Sequence, residues 1–353
     1  MHVPDGFLDV PASIATGVVA AGAVGWSLRR ANREVRESGP ALAGLTAAFI
    51  FAVQMVNFPI GAGTSGHLLG GALAAALVGP WTGVLCMTVV LLVQALLFAD
   101  GGLTALGTNI IDMGLATVLV GFVVTTVLLR VLPRRTSMVG PAAGVAAFAS
   151  VPVAAAVFTV LYALGGAVAI PLGTLATAMI GWHLLIGVGE GLITAAVVGA
   201  VVATRPDLVH VARHLRPELV LVDADGNPTG TVAADQPVPV RAGRRPLAVG
   251  LVVTVVVAGV VSFFASAHPD GLEFVAERLG IAEHATESAT AASPLAGYGF
   301  HGITNNAVAG GLAGLIGVAV VLGLLVAVTA LVRRRSVTRS AESQDDRRTR
   351  VDA

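Results

Sequence analysis

The chain has 353 residues, 55% of them hydrophobic and 12% charged, and its acidic and basic residues balance to zero net charge. A soluble domain carries about 25% charged residues, so this is the composition of a polytopic membrane protein, and the neutral balance gives no case for nucleic acid as a partner. All 21 basic residues are arginines; with no lysine there is no P-loop to hold the phosphates of ATP and no Schiff-base chemistry.

In chain order, no basic residue precedes the first apolar run, and Pro4, Asp5 and Asp9 interrupt its approach. That is not a signal peptide, and Met1, protected by the bulky His2, is expected to be the mature N-terminus. A span needs about 20 apolar residues. Candidates are Pro11–Leu28, Ala41–Phe58, His67–Val78, Trp81–Phe98, Thr104–Leu132, Val139–Gly165, Leu175–Ala203, Leu247–Ala265 and Ala307–Val332. The third is short and reads as a short or re-entrant helix beside the Gly79-Pro80 break. Lipid offers the backbone no hydrogen-bond partners, so helices are predicted throughout.

Arginines then set the sides. Clusters follow the first span (Arg29, Arg30, Arg33, Arg36), the fifth (Arg130, Arg134, Arg135), the seventh (Arg205, Arg213, Arg216, Arg241, Arg244, Arg245) and the ninth (Arg333, Arg334, Arg335). Nine crossings put all four in the cytoplasm, with the C-terminus. The N-terminus, the loop Asn57–His67 and the stretch between the last two spans are then outside the cell membrane. The predicted fold is an all-α polytopic membrane protein: about seven helices in residues 1–204, a Pro-rich cytoplasmic linker over 205–246 with a Val-rich patch at Leu219–Val222, a two-helix unit over 247–335, and a charged, disordered tail over 336–353. Cys86 is the single cysteine, so no intramolecular disulfide forms.

The first two residues carry chemistry. The α-amine of Met1 and the amide nitrogen of His2 close a five-membered chelate ring; that amide and the His2 Nδ1 close a six-membered one. Amine, deprotonated amide and imidazole suit Ni(II), Cu(II) or Co(II), and planar nitrogen ligation favours nickel or copper. A fourth donor must come from another outer segment, and one of these ends in His67. It follows "GAGTSG", where glycines let backbone approach a ligand and Thr64 and Ser65 are expected to cap the third helix, leaving His67 free. The plain alternative is a surface histidine at position 2.

Other polar residues admit two readings. His183 and Glu190 lie two turns apart on one helix face, as a pair that fixes helix packing or as a functional centre. Gln54, Asn57, Asn109 and Asp112 read as interhelical hydrogen bonds or as support for the metal site. The stripe Gly17, Ala21 and Gly25 is a docking face for another membrane protein or an internal packing face. Asp270, Glu273 and Glu277 with His268 gather cations at an entrance or simply form a solvated turn.

At these residues the sequence resembles a known family. "MHVPDGFLD" with "VNFPIGAGTSGHLLGGALAAALVGPW" is similar to the substrate-binding S components of cobalt/nickel energy-coupling-factor (ECF) transporters, the CbiM/NikM family. "HPDGLEFVAERLG" is similar to the PDGLE domain, the two-helix CbiN/NikN-like component that accompanies or is fused to them. The resemblance implies a transporter subunit rather than an enzyme, with no prosthetic group. It implies Ni(II) or Co(II) as transported ion, bound by the amine of Met1, the amide and imidazole nitrogens of His2, and His67. It also implies partners: a transmembrane coupling protein and paired ATP-binding-cassette ATPases. A competing expectation is an intramembrane metalloenzyme or metal sensor using His183 and Glu190, against which stands the lack of any HExxH-like spacing.

Overall fold

The computed structural model describes residues 1–215, 219–223, 227–232, 243–300 and 302–351. Arg216 and Arg241 of the linker lie outside these residues. The elements run α1 (Val10–Ser38), α2 (Pro40–Gln54), β1 (Phe58–Gly61), β2 (Thr64–Gly66), α3 (Gly71–Val78), α4 (Pro80–Phe98), α5 (Leu106–Val131), α6 (Val139–Gly165), α7 (Leu172–Thr204), β3 (Leu219–Val222), β4 (Pro228–Val232), α8 (Arg244–Gly259), α9 (Gly271–Arg278) and α10 (Asn306–Val351). Seven of these helices are long and apolar enough to cross a membrane, α8 counting with the turn that follows it. The fold is all-α and polytopic.

Local chemistry sets the boundaries. Asp9 caps α1 by accepting from the Ala12 N–H at 2.8 Å, with Pro11 in the first turn. Gly39 and Gly79 each precede a proline and hold φ of 81° and 95°, a left-handed conformation open to glycine. Each ends one helix and, through proline at the first position of the next, starts another. The second and third predicted spans are shorter than expected. α2 has 15 residues and α3 has eight; at 1.5 Å per residue eight residues cover about 12 Å, well short of a bilayer core.

The predicted cap of the third helix also differs. Thr64 and Ser65 sit in β2, paired with β1 in an antiparallel hairpin, and α3 begins after Gly70 with no side-chain cap. Residues 67–70 are therefore irregular backbone that is fully buried, tolerated at depth only where the protein supplies its hydrogen bonds. Glu190 of α7 supplies two, accepting from the N–H groups of Leu69 (2.5 Å) and Gly70 (2.8 Å). The Gln54 side-chain amide donates to the Leu69 carbonyl at 2.7 Å.

Small residues bring helices together. A Cβ on Gly144 of α6 would stand 2.8 Å from both the Gly191 carbonyl and the Ala195 side chain of α7. Large apolar side chains point outward instead, including Leu164 (78% exposed) and Leu192 (68%), as lipid-facing surfaces do. The C-terminal unit packs back onto the first: Gly44 of α2 lies against Val326 and Leu322 of α10, and Gly317 against Phe51 and Phe98. The Val-rich patch of the linker forms a hairpin with β4. α10 runs on through the charged segment expected to be disordered; a helix already nucleated by its apolar half extends at little cost through Arg, Glu, Gln and Ala.

Candidate metal site

The first nine residues form an extended strap laid across the helix ends. Asn109 holds Val3 by both backbone groups, accepting from its N–H at 2.8 Å and donating to its carbonyl at 3.1 Å; Gly102 N–H donates to that carbonyl too, at 2.8 Å. Asp5 accepts from the Thr104 N–H at 2.7 Å and from its hydroxyl. Phe7 ties to Ala167, just past α6, and Asp9 to Gly165, its last residue. Both helices beneath the strap contain π turns, Gln94–Phe98 in α4 and Ile110–Ala116 in α5, a deviation common at functional sites.

So pinned, the strap delivers its terminus to His67. The Met1 α-amine lies 2.6 Å from His67 Nε2, and the imidazoles of His2 and His67 stack. His67 Nδ1 is turned to the Leu68 carbonyl at 3.0 Å. A proton on Nδ1 satisfies that carbonyl and leaves Nε2 with a lone pair aimed at the amine.

His2 is held from two sides. Its Nε2 meets the Gln94 Oε1 at 3.1 Å, and its Nδ1 lies 3.2 Å from Asp100 Oδ1. Gln94 spends its amide hydrogens on Gln54 Oε1 (2.9 Å) and the Tyr298 hydroxyl oxygen (3.2 Å), so oxygen is the atom it presents to His2. The Tyr298 hydroxyl in turn donates to Asp100 Oδ2 at 2.6 Å. Burial pushes the His2 imidazole down to about 4, the nearby Asp100 opposing it in part. A neutral His2 carries one ring proton for two acceptors, Gln94 Oε1 at Nε2 and Asp100 Oδ1 at Nδ1.

The structure adds Asp270, whose Oδ2 forms an ion pair with the Met1 ammonium and lies 3.4 Å from His67 Nε2. Burial alone would raise this carboxyl; the ammonium and His67 outweigh it and hold it well below the usual range. Among the described residues no three His, Cys, Asp or Glu side chains converge; the cluster that does form is one imidazole, one carboxylate and the α-amine. Two members of this neighbourhood, Asp270 and Tyr298, come from the C-terminal unit. The sequence marks Asp270 as the start of a capping box, Asp-x-x-Glu, but nothing local says that its second oxygen faces Met1. Gln94 stands in an apolar run and Asp100 in a Gly-rich turn, and neither signals a contact with His2.

The remaining polar residues separate. His183 and Glu190 do not pair: Glu190 is taken by the backbone before α3, while His183 Nδ1 faces the Met179 carbonyl at 2.7 Å and its Nε2 has no hydrogen-bond partner among the described residues. Gln54 and Asn109 support the strap and its neighbours. The stripe on α1 lines an open groove of about 840 Å³ with Ile14, Leu103 and Ile110, rather than being filled by another helix.

Comparison with known proteins agrees with this architecture. Residues 2–208 match the family described as cobalt uptake substrate-specific transmembrane region (CbiM), and residues 244–334 match the PDGLE domain. A metal transport protein of Haloquadratum walsbyi is 41% identical over 209 residues, 59% of this chain and 93% of that one. The fused nickel transport protein NikMN of Rhodobacter capsulatus is 34% identical over 228 residues, 59% of this chain and 64% of that one. The crystal structure of a truncated transition metal transporter superposes with a TM-score of 0.52 at 26% identity, covering 57% of this chain and 99% of that one. The chain therefore belongs to the CbiM family of cobalt uptake substrate-specific transmembrane regions, with a PDGLE domain following in the same polypeptide.

Proposed function

We propose that this chain is the substrate-specific binding and translocation subunit of an ATP-driven ECF-type importer for Ni(II) or Co(II). The ion is captured at the outer face by the Met1 amine, the amide and Nδ1 of His2, and His67 Nε2. The observation that carries this reading is the approach of the Met1 amine to His67 Nε2, 2.6 Å, beneath the stacked His2 ring. The tautomer of His67 supports it. The Leu68 carbonyl draws the His67 proton to Nδ1, leaving Nε2 as the donor the chelate needs. Fixing a ligand's tautomer through its other nitrogen is how metal-binding histidines are oriented. The Rhodobacter relative, a nickel transport protein, and the cobalt of the family description agree with the cargo.

The energy must come from elsewhere, since the chain has no lysine and hence no P-loop. A transmembrane coupling protein with paired ATPases fills that role, and the uncovered groove along α1 is the face we assign to it. With both oxygens of Glu190 taken by backbone N–H groups, the metalloenzyme reading loses its base.

The test is an uncleaved residue added before Met1. It removes the amine and reshapes both chelate rings, and purified protein should lose its nickel and cobalt. Metal content equal to that of the unextended protein would overturn the assignment.

A further inference from the structure

We propose that Asp270, from the C-terminal unit, is a donor to the transported ion, so that both units build one metal site. The inference rests on the reading of Met1, His2 and His67 given above.

Geometry carries it first. The Met1 amine, His67 Nε2 and Asp270 Oδ2 form a triangle: amine to Nε2 is 2.6 Å, Nε2 to Oδ2 is 3.4 Å, and the amine and Oδ2 are in direct contact. Nitrogen and oxygen donors bound at about 2.0–2.2 Å and near right angles around one ion lie about 3 Å apart. The Met1 ammonium now contacts both other corners; when it gives up one proton to water, its lone pair can turn to a divalent ion that keeps Oδ2 as neighbour.

The carboxylate is also held for the task. Its Oδ1 accepts from Leu272 N–H (2.8 Å) and Glu273 N–H (2.9 Å), and Glu273 accepts from the Asp270 N–H at 2.9 Å. This capping box leaves Oδ2 without a role in the helix. The preceding residues are fastened to β2, where Ser65 donates from its N–H to the Pro269 carbonyl (2.9 Å) and from its hydroxyl to the His268 carbonyl (2.7 Å). Thr286 N–H donates to the Asp5 carbonyl at 2.9 Å, so the segment is tied to the strap as well. Gly271 permits the fit: a Cβ there would stand 2.9 Å from Ile186 and 3.2 Å from His183.

Charge completes the argument. A divalent ion held by an amine, two imidazoles and one deprotonated amide keeps one positive charge. Met1, His67 and Asp270 are all buried, where an uncompensated charge is costly. Two carboxylates face that charge, Asp100 beside His2 Nδ1 and Asp270 beside the amine and His67; Asp270 is the more buried of the two.

The experiment is titration of Ni(II) and of Co(II) into the full-length protein in detergent at one pH, comparing wild type with Asp270→Asn and His67→Ala. Asparagine retains the capping oxygen, and an unchanged melting temperature verifies that the segment around α9 stays folded. Asp270→Asn should weaken binding about 10- to 100-fold and intensify the visible bands of bound Co(II), as a lower coordination number does. Affinity that is unchanged or tighter in Asp270→Asn, with binding lost in His67→Ala, would overturn the proposal while leaving the four-nitrogen site standing; tighter binding would mark Asp270 as a counter-ion that the metal expels. If His67→Ala also binds normally, both readings fail.

Discussion

The imidazoles of His2 and His67 stack with centroids 5.0 Å apart and planes inclined by 20°. One ring comes from the strap at the N-terminus and the other from the buried, irregular turn before α3. Neither element positions its histidine alone: the strap depends on Asn109 and Gly102, and the turn depends on Glu190 and Gln54. The predictions below follow from those supports.

Gln94 holds the His2 ring from its Nε2 side and is itself fixed by donating to Gln54 and Tyr298. Replacing it with Leu removes the polar contact at Nε2 and leaves the ring to Asp100. Nickel affinity should fall about 10- to 100-fold, as for other outer partners of metal-binding histidines, measured by calorimetric titration. An affinity within twofold of wild type would show that Gln94 does not position His2.

Asn109→Leu removes the acceptor for the Val3 N–H and one of two donors to its carbonyl, the other being Gly102. A buried N–H without a partner costs about 1–3 kcal/mol. The melting temperature in detergent should drop, and limited proteolysis should cut within the first nine residues. A strap as resistant as in wild type would argue that Asp5 and Phe7 suffice to hold it.

Glu190→Gln leaves one oxygen for Leu69 or Gly70 and turns an NH₂ toward the other N–H. The expected loss is again about 1–3 kcal/mol, read as a lower melting temperature. Because the damage lies in the turn that carries His67, metal affinity should fall with it. Normal stability would mean that water replaces the carboxylate there.

Metal binding should strengthen as pH rises. The ammonium of Met1 and the amide of His2 must give up protons to bind an ion, so binding releases protons and acid opposes it. His2 adds little to this competition until the pH nears 4, because burial depresses its imidazole to about that value. Titrations in two buffers of different ionisation enthalpy would count the protons released. Isotherms that do not vary between about pH 5 and 8, the range of free imidazole and α-amine groups, would rule the ligand set out.

Much of this fold was legible because lipid permits so few backbone arrangements. Apolar runs and the Gly79-Pro80 break located the helices. The turn at 67–70 was hidden because its hydrogen bonds come from Glu190 and Gln54, far away in sequence. His183 and Glu190 looked like a pair for a related reason: helical periodicity gives the face a residue occupies but not the partner it meets. In the candidate site, Met1, His2 and His67 could be singled out from local chemistry. The acidic segment around Asp270 is visible too, as a cation entrance or a solvated turn, but its contact with Met1 is not, nor are the contacts of Gln94, Asp100 and Tyr298, since these join segments that only the folded chain brings together.

The clamp on Val3 makes the N-terminus a matter of counting. Asn109 registers the third residue against α5, and two residues remain to reach His67. A chain starting one residue sooner would offer His67 a peptide group, and one starting a residue later would fall short. Under the proposed ligand set, adding or removing one residue ahead of that clamp would change metal binding while leaving every side chain of the site in place.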